Sequence, residues 1–348
     1  MNTKVYYING NESVIKEAGE YIRRGETVVF PTETVYGLGA NALDKKACEK
    51  IFMAKGRPQD NPLIVHVADR DVSKYVEFVP ETSRILMDKF WPGPLTIIMK
   101  KKSIIPMEVT GGLESVAIRM PEGLVARKII LEAGVPIAAP SANLSGKPSP
   151  TTIEHCIRDL SGRVSMIIGG EECKCGLEST VVDVVGDLVT ILRPGAITRE
   201  MIEALGLRVS VDPSIMLSLK DAIPKSPGMK YKHYAPDSEM TIVVGEKEKV
   251  VEYINSKTEA LILKGKKIGI IATNQTKAMY KNGVILSFGS RDNLQEVASN
   301  LFDILREFDK IGVDYIYSEG FEDKGIGLAI MNRLRKAASH KIVIINNI

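Results

Sequence analysis

Several residue patterns that commonly mark a mechanism are missing from this 348-residue sequence. Its four histidines leave little room for a multi-histidine metal centre, and neither H-E-x-x-H nor G-x-S-x-G occurs. Zinc hydrolysis and covalent hydrolysis both lose ground. There is no G-x-x-x-x-G-K-[ST] phosphate loop, since Gly146-Lys147 is followed by Pro148 and lacks the upstream glycine. Of the four cysteines, Cys48 and Cys156 fall on helix faces and read as small core residues. Cys173 and Cys175 form C-x-C without a second pair or histidines at zinc spacing, so neither a metal site nor a disulfide framework is expected. No window approaches the ~20 apolar residues of a membrane span. Residues 1–13 lack an apolar core after a basic region, so no signal peptide is expected, and the expected location is cytoplasmic. A charge excess is missing too: 46 basic against 43 acidic side chains leave +3. RNA is therefore expected as a weak or indirect partner. The basic run Lys100-Lys101-Lys102 is equally well explained as a solvated strand end.

The stretch at 27–40, TVVFPTETVYGLGA, is the most distinctive one present. Thr27, Val28, Val29 and Phe30 form an apolar strand, which Pro31 stops because it has no N–H to donate to a ladder. Thr32, Glu33, Thr34 and Tyr36 follow, then Gly37 and Gly39, which permit close backbone approach. Buried strands that end in polar, glycine-punctuated turns are where α/β proteins often build sites, and an ordinary strand-to-loop corner reads the same way.

Apolar periodicity predicts helices over 11–24, 44–55, 81–90, 122–133, 152–159 and 198–205. Strands are predicted at 27–30, 63–67, 95–99, 115–120, 136–139, 166–168, 180–185 and 188–192. Several strands follow one another without a helix between them, so the sheet is expected to be mixed. Residues 1–205 therefore read as one α/β domain. Residues 206–238 lose any period; SPGMKYKHYAP at 226–236 has the composition of a linker, yet it is dense in lysine, tyrosine and histidine. Residues 239–348 alternate strand and helix and are expected to form a smaller parallel α/β domain. Gly325-Ile-Gly327 opens its last helix but lacks the third glycine of a dinucleotide fingerprint.

What remains is a set of basic and hydroxyl residues in loops beside short strands. Lys55-Gly56-Arg57 places two cations two residues apart, and Ser141-Ala142-Asn143 follows a buried strand. Arg119 and Arg193 sit within or just after apolar strands. A partly buried arginine needs an acidic partner or an anionic ligand. Together these groups suit a triphosphate and a carboxylate, although each arginine alone is equally served by a salt bridge.

Lys55-x-Arg57 with Ser141-x-Asn143, preceded by PTETVYGLGA, resembles the YrdC-like family of threonylcarbamoyl-AMP synthases. The resemblance continues through KGRPQDNPLIVHV (55–67), WPGPLT (91–96), VAIRMP (116–121), APSAN (139–143), ESTVVD (178–183) and LRPGAI (192–197). The linker followed by a second α/β domain is similar to the long, two-domain form. The resemblance implies an open, twisted YrdC-like α/β sandwich joined to a Rossmann-like domain. It also implies ligation of L-threonine, bicarbonate and ATP into threonylcarbamoyl-AMP with release of pyrophosphate. The product would serve downstream tRNA threonylcarbamoyl-transfer proteins. Mg2+ is expected to accompany ATP, with no protein-held metal and no tightly bound organic cofactor.

Carried over by position, Thr34, His66, Arg119, Ala139 (through its backbone) and Ser179 would hold threonine. Lys55, Arg57, Asn61, Ser115, Ser141, Asn143, Ser149 and Arg193 would surround the nucleotide, with Lys55 and Arg57 catalytic. From the linker, His233 and Tyr234 would reach back over the site as a lid. Glu33 and Tyr36 are left with supporting roles. Two rivals stay in play: an RNA-binding module in which Lys55, Arg57 and the Lys100–Lys102 run track a phosphate backbone, and a carbamoyltransferase-type maturation factor. Chains of the second kind carry acylphosphatase-like and zinc-finger segments, which are not expected here.

Overall fold

A computed structural model describes residues 2–8, 11–216 and 233–345, and these separate into two compact units. The first takes the described residues up to 216 apart from 146–148; the second takes 146–148 and 233–345.

The first unit is built on a mixed sheet. Its strands are β1 (Lys4–Tyr7), β2 (Val28–Phe30), β3 (Gly37–Asn41), β4 (Ile64–His66), β5 (Leu95–Lys100), β6 (Ser115–Arg119), β7 (Ile137–Ala138), β8 (Met166–Gly169), β9 (Thr180–Val185), β10 (Leu188–Arg193) and β11 (Arg208–Val211). They lie in the order β1-β8-β2-β3-β7-β4-β6-β5-β9-β10-β11. Its helices are α1 (Glu12–Arg23), α2 (Lys45–Lys55), α3 (Glu81–Phe90), the single turn α4 (Met107–Thr110), α5 (Leu124–Ala133), α6 (Ile153–Leu160) and the short α7 (Arg199–Glu203).

The local signals act as the sequence suggests. Asn11 caps α1 by accepting from the Ser13 N–H at 3.1 Å, and α1 turns Val14, Ile15, Ala18 and Ile22 inward. Asp44 caps α2 by accepting from the N–H groups of Lys46 and Ala47. Gly56 ends α2 in the left-handed region at φ 61°, directing the chain into Arg57. The core of this half packs α1 and α5 against β2, β7 and β8, with Phe30, Ile129, Ile137 and Met166 among its buried side chains.

Three strands are absent from the sequence reading, as is the single turn α4. Residues 27–40 form a hairpin, with β3 antiparallel to β2 in the register Val28↔Gly39 to Phe30↔Gly37. Its glycines hide it, because period-two alternation is invisible where side chains are absent. Lys4–Tyr7 forms β1 at the sheet edge, where its mostly exposed side chains give no burial pattern. Arg208–Val211 forms β11 parallel to β10, so the first sheet runs past the boundary read at 205. Of the segment read as a linker (206–238), residues 217–232 lie outside the described residues.

The second unit carries β12 (Glu239–Gly245), β13 (Ile268–Ala272), β14 (Val284–Ser287), β15 (Tyr315–Glu319) and β16 (Ile342–Ile345), with helices α8 (Lys247–Ile262), α9 (Leu294–Ile311) and α10 (Ile326–Ala337). Its five strands lie in the order β14-β13-β15-β12-β16, and every pairing is parallel. Glu319 is buried at the end of β15. There it accepts from Thr273 at 3.1 Å, Tyr280 at 2.8 Å and Arg291 at 2.8 Å, and also from Thr276. Arg306 of α9 donates from Nε to the Pro148 carbonyl at 3.1 Å, and Lys147 pairs with Asp237.

The hairpin depends on Gly39. A Cβ there would meet the Phe30 ring at 2.5 Å and Ile137 Cγ2 at 2.7 Å. Gly39→Ala is expected to destabilise the protein by about 1–3 kcal/mol, measured by urea unfolding. The double variant Gly39→Ala/Phe30→Leu should recover at least half of that loss. No recovery would locate the cost elsewhere.

Candidate active site

The register of the first sheet sets a row of polar side chains across its strands. His66 on β4 pairs with Arg119 on β6, and Arg119 pairs with Thr96 on β5. Paired residues point to the same face, so the three side chains stand side by side. Thr96 Oγ1 lies 2.8 Å from Ser179 Oγ, just before β9. Arg193, at the end of β10, donates from Nη2 to that same hydroxyl and from Nε to the Ser179 carbonyl, both at 3.0 Å. All five side chains are buried.

The β2–β3 turn closes over this row. The Thr32 hydroxyl accepts from the N–H groups of Thr34 and Val35 and lies 2.8 Å from Thr34 Oγ1. That closed turn carries Glu33, whose Oε1 is 2.5 Å from Arg119 Nη2, with both side chains about 5% exposed. Oε2 of Glu33 accepts from the Gly123 N–H at 3.2 Å. Burial alone would raise the Glu33 carboxyl. The charge and hydrogen bond of Arg119, together with backbone N–H donors, outweigh it and hold the group below the ordinary carboxylate range. Among the described residues, Arg119 Nε is buried and finds no hydrogen-bond partner. Such a donor is costly unless something else uses it.

His66 is pushed down to about 3, first by burial and then by the positive charge of Arg119. It is therefore a neutral imidazole at physiological pH, with Nδ1 3.1 Å from the Ile64 carbonyl. Burial likewise lifts Cys173 to about 12 and Cys175 to about 11. Both are thiols at neutral pH, and the Cys175 N–H serves the turn by donating to the Glu33 carbonyl at 2.8 Å.

A second cluster lies beside the same turn. Lys55, buried at the end of α2, donates its ammonium to the carbonyls of Ser141 and Asn143. Ser141 bridges to Gly37, and the Ala142 N–H donates to the Tyr36 carbonyl at 2.8 Å. Arg57 donates to the carbonyls of Asn61 at 3.2 Å and Pro62 at 2.9 Å, just ahead of β4. Ser149 donates to Glu178, the neighbour of Ser179, while the Tyr36 N–H donates to the Pro150 carbonyl. Among the described residues, no three His, Cys, Asp or Glu side chains gather as a metal site.

The chain is similar in sequence and fold to known proteins. Residues 20–195 match the Sua5/YciO/YrdC family model, described as telomere recombination. Residues 197–339 match the model of the threonylcarbamoyl-AMP synthase C-terminal domain. The threonylcarbamoyl-AMP synthase of Pyrococcus abyssi is 46% identical over 94% of this chain and 95% of its own length. That of Bacillus subtilis is 45% identical over 99% of this chain and its entire length. The chain belongs to the threonylcarbamoyl-AMP synthase family. A crystal structure of P. abyssi Sua5 complexed with L-threonine superposes with a TM-score of 0.92 at 43% identity, covering 99% of this chain and all of that one.

Most residues assigned from the family resemblance fall into these two clusters. Thr34, His66, Arg119 and Ser179 belong to the strand row and its turn, and the Ala139 N–H donates to the Ile64 carbonyl beside β4. Lys55, Ser141 and Asn143 form the second cluster, with Arg57 and Asn61 joined ahead of β4. Ser115 stands at the opposite end of β6 from Arg119, about 13 Å along an extended strand. His66 and Arg119 thus occupy the carboxyl ends of β4 and β6, while Asn61 and Ser115 mark their amino ends. His233 and Tyr234 belong to the second unit. There Tyr234 is buried against Phe302, ring centroids 5.2 Å apart, with the Arg333 guanidinium 5.7 Å over its ring.

The sequence reading missed Thr96 and Glu178 and undervalued Glu33. Thr96 carried a signal as a lone hydroxyl in the apolar run LTIIMK. Glu178 and Glu33 carried none, since which cation or hydroxyl a carboxylate meets is settled by register between distant strands.

Because its native pKa lies below the unfolded value of about 6.5, His66 favours folding fully above that pH. The contribution drains away as pH falls from about 6.5 toward 3. Its ring resonances, assigned by their loss in His66→Gln, are expected to stay in the neutral form from pH 8 down to 5. Titration near 6.5 in the native protein would contradict the assignment.

Proposed function

We propose that the chain is an L-threonylcarbamoyladenylate synthase that condenses L-threonine, bicarbonate and ATP into threonylcarbamoyl-AMP, pyrophosphate and water. The observation that carries this reading is Arg119, a buried guanidinium whose Nε has no partner, set beside a neutral imidazole in a strand-built row. A directed, desolvated guanidinium N–H donor suits an amino-acid carboxylate. The likeness to the threonine-bound relative supports the same choice.

The chemistry asks little covalent work of the protein. The threonine nitrogen, once deprotonated, attacks the carbon derived from bicarbonate; water leaves and a carbamate forms. A carbamate oxygen then attacks the α-phosphorus in line, and the bond to pyrophosphate breaks. In this reading the enzyme is a nucleotidyltransferase, and catalysis rests on holding the two reactants and on stabilising phosphate charge. Lys55 and Arg57 serve the charge on the triphosphate and the departing pyrophosphate. Asn61, Ser115, Ser141, Asn143, Ser149 and Arg193 position the nucleotide, while Thr34, His66, Ser179 and the Ala139 backbone complete the threonine end. Magnesium would enter with ATP as part of the substrate and would offset phosphate charge. The product passes to proteins that transfer the threonylcarbamoyl group to tRNA.

A phosphate-tracking RNA module fits less well. It needs the Lys100–Lys102 run open on the surface, whereas Lys101 is buried and donates to the Ile105 carbonyl at 3.0 Å.

Pyrophosphate release is expected to require both threonine and bicarbonate, with signal lost when either is omitted. Release without threonine would remove the reading. Arg119→Lys is the informative variant, because Arg119→Ala would strand buried Glu33. With the charge kept and the directed Nε lost, kcat/KM for threonine should fall about 10- to 100-fold while the ATP dependence changes little. An unchanged threonine dependence would remove Arg119 from the carboxylate role.

A further inference from the structure

A buried cation without a counter-ion attracts any small anion that reaches it. A site that handles ATP and bicarbonate is offered several, including phosphate, pyrophosphate and simple hydroxy acids. Arg119 is not such a cation. Glu33 Oε1 lies 2.5 Å from its Nη2, so the pair brings no net charge to the pocket, and neutral His66 beside it adds none. Yet Nε remains a buried donor with no partner. An incoming group therefore meets a directed N–H in a field that Glu33 weakens.

Glu33 is also held from several sides. Its Oε2 accepts from Gly123 N at 3.2 Å, its carbonyl accepts from Cys175 N at 2.8 Å, and the adjoining Thr32 hydroxyl donates to the Val35 carbonyl at 2.6 Å. These contacts fix the carboxylate against Arg119. A simple anion on Nε is then attracted by Arg119 and repelled by Glu33, which leaves only part of the attraction an unpaired guanidinium would give. A zwitterion brings its own positive group, which Glu33 favours.

We propose that Glu33 is a specificity-determining residue: by neutralising Arg119 it admits α-amino acids as zwitterions and rejects anions of the same size that lack the ammonium group. The selection acts at binding, before the ammonium gives up the proton that carbamate formation requires. This deepens the threonine-consuming reading and rests on it.

The test is calorimetric titration of the full-length protein with L-threonine and with 3-hydroxybutyrate, the same skeleton without the amino group. Wild type is expected to bind 3-hydroxybutyrate at least about 100-fold more weakly than threonine. In Glu33→Gln, near-isosteric and still able to accept from Gly123, that ratio should shrink by about tenfold or more. The gain should come mainly from tighter 3-hydroxybutyrate, and inorganic phosphate should begin to compete with threonine. Glu33→Asp, which keeps the charge, should retain most of the wild-type preference. An unchanged ratio in Glu33→Gln, with both ligands weakened alike, would reduce Glu33 to a structural anchor and overturn the proposal. If Glu33→Gln does not fold, equal affinity of wild type for the two ligands overturns it. Wild type that binds no threonine fails the functional reading itself, an outcome distinct from either.

Discussion

The buried ion pair between Glu33 and Arg119 is the contact on which the candidate site depends. It joins the β2–β3 turn to the carboxyl end of β6, and through Gly123 to the segment entering α5. Two ions taken out of water gain net stability only when geometry and further hydrogen bonds are good, and replacing such a pair with apolar side chains often costs nothing. Its place here follows from the site: Arg119 must be buried to present a desolvated donor, and a buried Arg119 without Glu33 would carry an uncompensated charge. Burial, with the charge of Arg119 second, keeps His66 neutral, so the row offers a fixed donor and a neutral ring.

The rest of the first unit supports that pair. The close approach of Phe30 and Ile137 to Gly39 sets the hairpin, the hairpin sets the turn, and the turn sets Glu33. Lys55 ties the end of α2 to the loop after β7, placing cations and small polar groups beside the turn. The residues proposed for threonine and most of those proposed for the nucleotide thus arise from different strand ends and loops around one turn, with Asn61 and Ser115 at the opposite ends of β4 and β6. This suits a reaction whose barrier is lowered by bringing a carbamate oxygen up to an α-phosphorus.

Much of this was legible in the sequence. Helices with clear caps and spaced apolar residues, such as the one between Asn11 and Gly25 and the one between Asp44 and Gly56, lie where periodicity puts them. Apolar strands such as β4, β5 and β6 do as well. The missed strands are those whose pattern is blank: β3 because glycines have no side chains to alternate, β1 and β11 because edge strands are largely solvated. The cations of the site could be named because a charge inside an apolar run stands out. Their partners could not, because the separation of Glu33 from Arg119 by 86 residues is closed only by tertiary structure.

The central claim is that Arg119 receives the substrate carboxylate through its open edge while Glu33 keeps its own place on the guanidinium. A crystal structure of this protein with L-threonine tests it most directly. The account predicts a threonine carboxylate oxygen within hydrogen-bonding distance of Arg119 Nε, with the Glu33 Oε1 to Arg119 Nη2 contact intact. A carboxylate bound away from Arg119, or one that displaces Glu33, would contradict it.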